Sequence, residues 1–170
     1  MPGTGTSIAD AEVMSEWLAA LENTGFATWL RESGSIWAYP TVLTLHTAGM
    51  VMLVGMNWTL DLRILGVAPG VPLRSLDTLF RAMWIGFWIN FVTGVMLFAA
   101  DATTKGSTSL FMLKLGLVVL AVLASVLMRR SINRPEAPSR SIPVGARVYA
   151  SVSLALWVAA IAAGRMMAYV

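Results

Sequence analysis

Four long apolar stretches alternate with short polar segments along this chain. They run over about residues 36–60, 82–100, 110–128 and 148–170. Each is close to the roughly 20 residues that a helix needs to cross about 30 Å of hydrocarbon, at about 1.5 Å per residue. Trp37 and Trp58 lie near the two ends of the first stretch, where amphipathic aromatic rings meet lipid headgroups. The pattern therefore predicts four membrane-spanning helices.

The segment before the first span has a different pattern. Residues 10–32 carry Trp and Leu among acidic side chains, and Gly25 divides the segment. This pattern predicts one or two amphipathic helices on a membrane surface. Residues 1–20 contain no Lys or Arg and no continuous apolar core, so we expect the first span, not a cleavable signal, to direct insertion. We expect an extracytoplasmic amphipathic segment, residues 1–35, followed by the bundle, residues 36–170.

The composition indicates the same class. Hydrophobic residues make up 57% of the chain and charged residues 12%, against about 25% charged residues in an ordinary soluble domain. The net charge is only +3, so we expect the lipid bilayer as partner and no nucleic acid. There is no cysteine, which excludes disulfides and thiolate metal sites. The expected fold class is all-α: an integral membrane four-helix bundle with an N-terminal amphipathic surface helical segment.

Basic residues are distributed unevenly between the spans. The connection between the second and third spans contains Lys105 alone. The two other connections contain eight arginines: Arg63, Arg74, Arg81, Arg129, Arg130, Arg134, Arg140 and Arg147. The positive-inside rule places these two connections in the cytoplasm. We therefore expect a multi-pass protein of the bacterial inner (cytoplasmic) membrane, N-out and C-out, with an irregular cytoplasmic loop at RRSINRPEAPSRSIP.

Polar side chains inside the spans are the candidate functional residues. An ionisable side chain there costs about 2.5–3.5 kcal/mol, so it needs a partner or a function. His46 and Asn90 lie near the midplane of the first and second spans, and Lys114 and Arg165 lie in the outer leaflet of the third and fourth. These four residues form a candidate cofactor-binding site in a cavity that opens outwards. The sequence identifies no catalytic residue.

Each of these residues also has a purely structural interpretation. Lys114 and Arg165 can extend to the headgroups, Asn90 can make one interhelical hydrogen bond, and His46 can pack against a backbone carbonyl. Met50 follows His46 by one helical turn, and the pair is a candidate copper(I) site because thioethers are soft ligands. The spans also contain glycines that allow either close helix approach or room for a flat ligand: Gly49, Gly55, Gly86, Gly94, Gly116 and Gly164.

Four strings of residues carry a resemblance to known membrane proteins. They are LHTAGMVMLVGMNWTLDLRILG, RAMWIGFWINFVTGVMLFAAD, LFMLKLGLVVLAVL and AGRMMAYV. Together they resemble an uncharacterised family of small four-helix bacterial membrane proteins. More distantly, the chain is similar to CopD-type copper-resistance proteins and to the haem-binding bacterial protoporphyrinogen oxidase. His46, Gly55, Arg63 and Lys114 stand where the latter has a His, a Gly, an Arg and a Lys.

The resemblance implies a b-type haem ligated by His46. The corresponding hypothesis is a redox or electron-transfer role, in which Lys114 and Arg165 pair with the haem propionates on the outer side. Because the chain has one His, it cannot supply two imidazoles to one haem, so the sixth position is open, filled by Met, or supplied by a second subunit. The alternative is a non-enzymatic membrane subunit, an anchor, or a protein that handles a metal or small molecule without haem. The sequence leaves open whether the chain is an enzyme, forms a homo-oligomer or joins a larger membrane assembly.

Overall fold

The computed structural model describes residues 5–72, 75–133, 142–167 and 169. These residues form an all-α protein, 84% helical. The helices in this part of the chain are α1 (Gly5–Glu22), α2 (Gly25–Glu32), α3 (Tyr39–Leu65), α4 (Leu76–Ala99), α5 (Ala102–Ser107), α6 (Ser109–Ile132) and α7 (Val144–Met166). Four of them, α3, α4, α6 and α7, are long and apolar enough to cross a membrane. The predicted number of spans is therefore confirmed.

The membrane helices extend beyond the predicted spans at the ends that carry arginine. Helix α3 continues through Arg63 to Leu65, and α6 continues through Arg129 to Ile132. Long basic side chains allow this extension, because their charged heads reach the headgroups while the backbone stays helical. The first residues of the predicted irregular loop are consequently part of α6, and residues 134–141 of that loop lie outside the described residues.

The chain divides into two compact units. Unit 1 comprises Met1–Ala48 and Ile89–Thr108, and unit 2 comprises Gly49–Trp88 and Ser109–Val170. Helices α3 and α4 contribute to both units because the division falls within each of them. The core of unit 1 consists of Leu30, Ala38, Val42, Leu97 and Ala100.

In unit 2, segments of all four membrane helices pack as a bundle. Its core includes Leu60, Ile64, Phe80, Met83, Met128 and Trp157. The buried positions of α6 and α7 are mostly small, and include Ala121, Ala124, Ser125, Ala146, Ala150, Ser153 and Ala160. Small side chains allow two membrane helices to approach closely, which agrees with the extensive packing between α6 and α7.

The outward faces of the membrane helices are apolar. Val51 on α3 and Val119 on α6 are each 65% exposed, and many other large apolar side chains are exposed as well. Such a surface would be unfavourable in water, where large exposed apolar patches promote association. It is the surface that a lipid environment requires.

The two N-terminal helices occupy the segment in which the sequence predicts them. The break falls at Asn23 and Thr24, one residue before the predicted Gly25, because the Thr24 hydroxyl accepts a hydrogen bond from the amide of Ala27 and caps α2. Within unit 1, α1 contacts α5. A Cβ added to Gly106 would lie 2.7 Å from Leu18 Cδ1, so this glycine allows α1 to approach α5.

Candidate functional site

His46 lies on α3 in unit 1, and its half-buried imidazole faces α4. Its Nδ1 atom is 3.1 Å from the backbone carbonyl oxygen of Asn90 and 3.1 Å from the hydroxyl oxygen of Thr93. Asn90 and Thr93 lie nearly one turn apart on α4, so a single surface of that helix supplies both contacts. The sequence predicted His46 and Asn90 as partners in a site but did not include Thr93.

The surrounding hydrogen bonds favour one position of the proton on the ring. The hydroxyl of Thr93 donates to the carbonyl of Ile89 at 2.6 Å, so its oxygen faces the imidazole as an acceptor. The carbonyl of Asn90 also can only accept. Because these two acceptors lie 3.1 Å from Nδ1 and the Asn90 amide nitrogen lies 3.4 Å from it, the closer contacts favour a hydrogen on Nδ1. In the neutral ring the lone pair is therefore on Nε2, the atom that can bind a metal.

The side chain of Asn90 fixes the backbone of α3 at the same point. Its amide Nδ2 donates to the carbonyl oxygen of His46 at 2.9 Å, and lies 3.4 and 3.5 Å from the two ring nitrogens. A hydrogen bond of this kind, from a side-chain amide on one helix to another helix, fits the interpretation that Asn90 has a structural role. It also holds the imidazole in one position against α4.

Gly94 provides the space into which the ring fits. A Cβ added at this position would lie 3.2 Å from His46 Cε1 and 3.6 Å from Nδ1. A Cβ at this position would force the imidazole to move by a few tenths of an ångström. The glycines were expected to allow close helix approach or to make room for a flat ligand. Gly94 makes room for the side chain of the candidate ligand residue, His46.

The other predicted site residues belong to unit 2. Lys114 is half-buried, and its side chain lies against Gly164 of α7, with Cε 3.6 Å and Cδ 3.7 Å from an added Cβ there. Arg165 is exposed, and Met50 is 37% exposed. The structure thus brings His46 and Asn90 together, and the participation of Lys114, Arg165 and Met50 in that site stays a prediction.

A second polar cluster lies in unit 2, at residues that were not predicted from the sequence as part of a site. It consists of Asn57 and Asp61 on α3, Ser125 on α6 and Ser153 on α7, and all four residues are 0% exposed. Asn57 Nδ2 donates to Asp61 Oδ2 and to Ser153 Oγ, each at 2.8 Å. The hydroxyl of Ser125 donates to Asn57 Oδ1. Asn57 therefore connects three helices.

This cluster was missed because the predicted first span ended at Leu60, which assigned Asp61 to a polar loop. The spacing of Asn57 and Asp61 was the available signal. Residues four apart lie on one face of a helix, so an amide and a carboxyl of this spacing face the same neighbours. The serines offered no signal, because a small hydroxyl is common at membrane helix contacts.

A carboxylate outside the spans holds the N-terminal helices. Glu22 at the end of α1 accepts hydrogen bonds from the hydroxyl and from the backbone amide of Thr103, the latter at 2.9 Å. Arg31 lies 3.2 Å away as an ion-pair partner. The hydrogen bonds from Thr103, followed by the charge of Arg31, lower the pKa of Glu22 below its usual value.

Among the described residues, no group of three or more His, Asp or Glu side chains is placed to hold a metal ion. A ligand with its own donor atoms, such as a porphyrin, requires only one or two protein atoms.

The fold defines the class of the protein: a small multi-pass integral membrane protein with four spans. No protein-family model matches the chain, and no curated protein or solved structure is significantly similar to it. Its function must therefore be inferred from its own residues.

Proposed function

We propose that this membrane protein binds a b-type haem through Nε2 of His46 and serves in electron transfer. The observation that supports this proposal is the double acceptor at Nδ1, formed by the Asn90 carbonyl and the Thr93 hydroxyl. Histidines that ligate metals usually donate their second ring N–H to a carbonyl, a carboxylate or water. That bond orients the ring and makes the ligating nitrogen more basic.

The residues around His46 fit an axial ligand in other respects. Gly94 lets the imidazole lie close to α4, and the bond from Asn90 Nδ2 to the His46 carbonyl holds α3 beside it. The bound iron would supply one-electron redox chemistry, and the protein would tune it through burial and the Nδ1 hydrogen bond. With one His in the chain, the sixth position is left to a Met, a second subunit or an exogenous ligand.

A second candidate function is a non-enzymatic membrane subunit or anchor. The same hydrogen bonds support it, because the contacts of His46 with Asn90 and Thr93 link α3 to α4 without any ligand. A copper site at His46 and Met50 is the weaker metal alternative. It depends on their spacing of four residues along α3.

Absorption spectroscopy separates these functions. We expect the detergent-purified protein to show a Soret band, either as isolated or after titration with haemin. The His46→Ala variant should lack this band as isolated and should bind haemin with at least a tenfold weaker affinity. Thr47→Ala is the matched control, since Thr47 is the exposed neighbour of His46 and its hydroxyl bonds the carbonyl of Leu43 at 3.0 Å. A protein that stays colourless and metal-free supports the subunit function instead. Copper that is lost in Met50→Leu supports the copper site.

A further inference from the structure

The carboxyl group of Asp61 is only half satisfied in the core of unit 2. Its Oδ2 atom accepts a hydrogen bond from Asn57, whereas its Oδ1 atom is buried and has no hydrogen-bond partner within the described part of the chain. Asp61 is fully buried, and the core of its unit is apolar, with Leu60, Ile64 and Trp157 among its members. An ionised carboxylate with an unpaired oxygen is strongly disfavoured in such a place.

Asn57 determines where a positive charge can reach this carboxyl. The two hydrogens of its amide nitrogen are directed at Asp61 Oδ2 and Ser153 Oγ. A cation that approached Asp61 Oδ2 or Ser153 Oγ from the side of Asn57 would be repelled by these amide hydrogens. Oδ1 is the oxygen that accepts no hydrogen bond from the residues that the structure describes.

Among the described residues, no basic side chain of a neighbouring helix forms an ion pair with Asp61. From α6 and α7 its cluster receives the hydroxyls of Ser125 and Ser153. Arg129 pairs with Asp77 at 3.0 Å and lies over the ring of Phe80. The other basic side chains on the helices of unit 2 have other contacts, are exposed to the surroundings or lie at a distance. Arg63 donates to the carbonyl of Val71. The exposed ones are Arg81, Arg130, Arg147 and Arg165. Lys114 is 11 residues from Ser125 on α6, about 16 Å along the helix axis.

We propose that Asp61 Oδ1 is an intramembrane binding site for one monovalent cation, a proton or a sodium ion, supported by Asn57, Ser125 and Ser153. A proton requires only the one open oxygen. A sodium ion requires several oxygens at once, because hard cations are held by sets of oxygen ligands. The hydroxyls of Ser125 and Ser153, in the same polar cluster, are oxygens of that type. In both cases the bound charge neutralises the carboxylate, and its release would require water to enter between α3, α6 and α7.

This site is independent of the haem proposal, because it is formed by other residues in the other unit. It lies in the half of the bundle nearer the arginine-rich connections, since Asp61 is four residues from the end of α3, about 6 Å. A cation would reach it from that side. The protein would thereby take up and release one positive charge within the membrane.

Infrared spectroscopy of the full chain in nanodiscs, with its aspartates isotopically labelled at the side-chain carboxyl, tests the site. In sodium-free buffer at neutral pH we expect an aspartic acid C=O band that shifts in heavy water and is absent in Asp61→Asn. Asp101→Asn is the matched control and should keep the band, because Asp101 is half exposed and lies 3.4 Å from Lys105. If Asp61→Asn fails to fold, Asn57→Ala replaces it. It should move the band to higher frequency, since Oδ2 loses its donor.

Addition of sodium chloride, with choline chloride as the control salt, identifies the cation. A band that persists assigns the site to a proton, and a band that sodium alone removes assigns it to sodium. Both results support the proposal. The proposal is overturned if the wild-type protein shows no aspartic acid band in sodium-free buffer, or if the band is unchanged in Asp61→Asn.

Discussion

His46 and Asn90 exchange hydrogen bonds between α3 and α4. The His46 ring donates from Nδ1 to the Asn90 carbonyl at 3.1 Å, and the Asn90 amide donates to the His46 carbonyl at 2.9 Å. Each side chain thus satisfies the backbone of the other residue. This reciprocity aligns the two helices at one level and leaves Nε2 as the basic nitrogen of the imidazole.

We expect Thr93→Val to loosen the imidazole without disrupting the bundle. The substitution keeps the volume and removes one of the two acceptors at Nδ1, so it should cost about 0.6 kcal/mol of unfolding free energy, the average for hydrogen bonds between membrane helices. Unfolding in mixed micelles measures this. Thr44→Val is the control, since the Thr44 hydroxyl bonds the carbonyl of Pro40 on its own helix. Equal effects of the two substitutions would show that Thr93 has no special role at His46.

Gly86→Ala should be among the most disruptive small substitutions in unit 2. An added Cβ would lie 2.6 Å from the backbone nitrogen of Leu53 and 3.0 Å from the carbonyl oxygen of Gly49, and backbone atoms cannot move aside cheaply. We expect a loss of about 1–3 kcal/mol in unfolding free energy, as for other overpacked cores. Gly55→Ala is the matched control, because no described residue has an atom within 4 Å of its added Cβ, apart from its chain neighbours and its own helix backbone. A Gly86→Ala protein as stable as Gly55→Ala would contradict the close approach of α3 and α4 in this unit.

The contact between α1 and α5 should weaken in acid. The pKa of Glu22 is lower in the folded protein than its usual value of 4.5, so the contact is fully stabilised above pH 4.5 and loses stability as the pH falls through the folded pKa. The amide of Thr103 lies in the first turn of α5, where no intrahelical acceptor exists, and it donates to Glu22. Its hydrogen-exchange protection factor should therefore fall in acid.

Glu22→Gln is the control for this pH dependence. The substitution keeps an acceptor oxygen but removes the titrating group, so the protection factor of Thr103 should be lower and independent of pH. A wild-type protection factor that is unchanged below pH 4.5 would show that Glu22 does not hold α5.

The orientation in the membrane is a separate prediction, which depends on eight arginines in two connections against one lysine in the third. Alkaline phosphatase fused after the last residue should be active, because a C-out topology places it in the periplasm. A fluorescent protein fused at the same position should be dark. The reverse pair of results would place the C-terminus in the cytoplasm.

The fold was predictable because lipid imposes a simple rule. Every backbone polar group must be satisfied within its own segment, so apolar stretches of sufficient length become helices. The helix ends were less predictable, because Arg63 and Arg129 are polar residues that remain helical. The break before α2 was displaced by one residue because a side-chain cap at Thr24, not the glycine, terminates the turn.

The candidate site was predictable only in part. His46 and Asn90 were recognisable because polar groups are costly at mid-depth, and that cost led them to pair. Thr93 was not recognisable from the sequence. A threonine hydroxyl can donate to a backbone carbonyl of its own helix, as Thr93 does, so the residue type does not indicate a partner on another helix. Asp61 was missed for a different reason: depth was inferred from hydropathy, and a carboxyl near the end of a span resembles the start of a loop.

Under the haem proposal, hydrogen bonds to α4 orient His46 so that its Nε2 atom can ligate the haem iron. The ¹⁵N NMR spectrum of this single histidine tests this central claim most directly. Histidine labelling yields one pair of ring signals without mutagenesis. In the haem-free protein at neutral pH we expect a protonated Nδ1 and an unprotonated Nε2, and we expect haemin to perturb the Nε2 signal far more than the Nδ1 signal. A ring protonated at Nε2 with an unprotonated Nδ1, or two signals that haemin leaves unchanged, would contradict this role of His46.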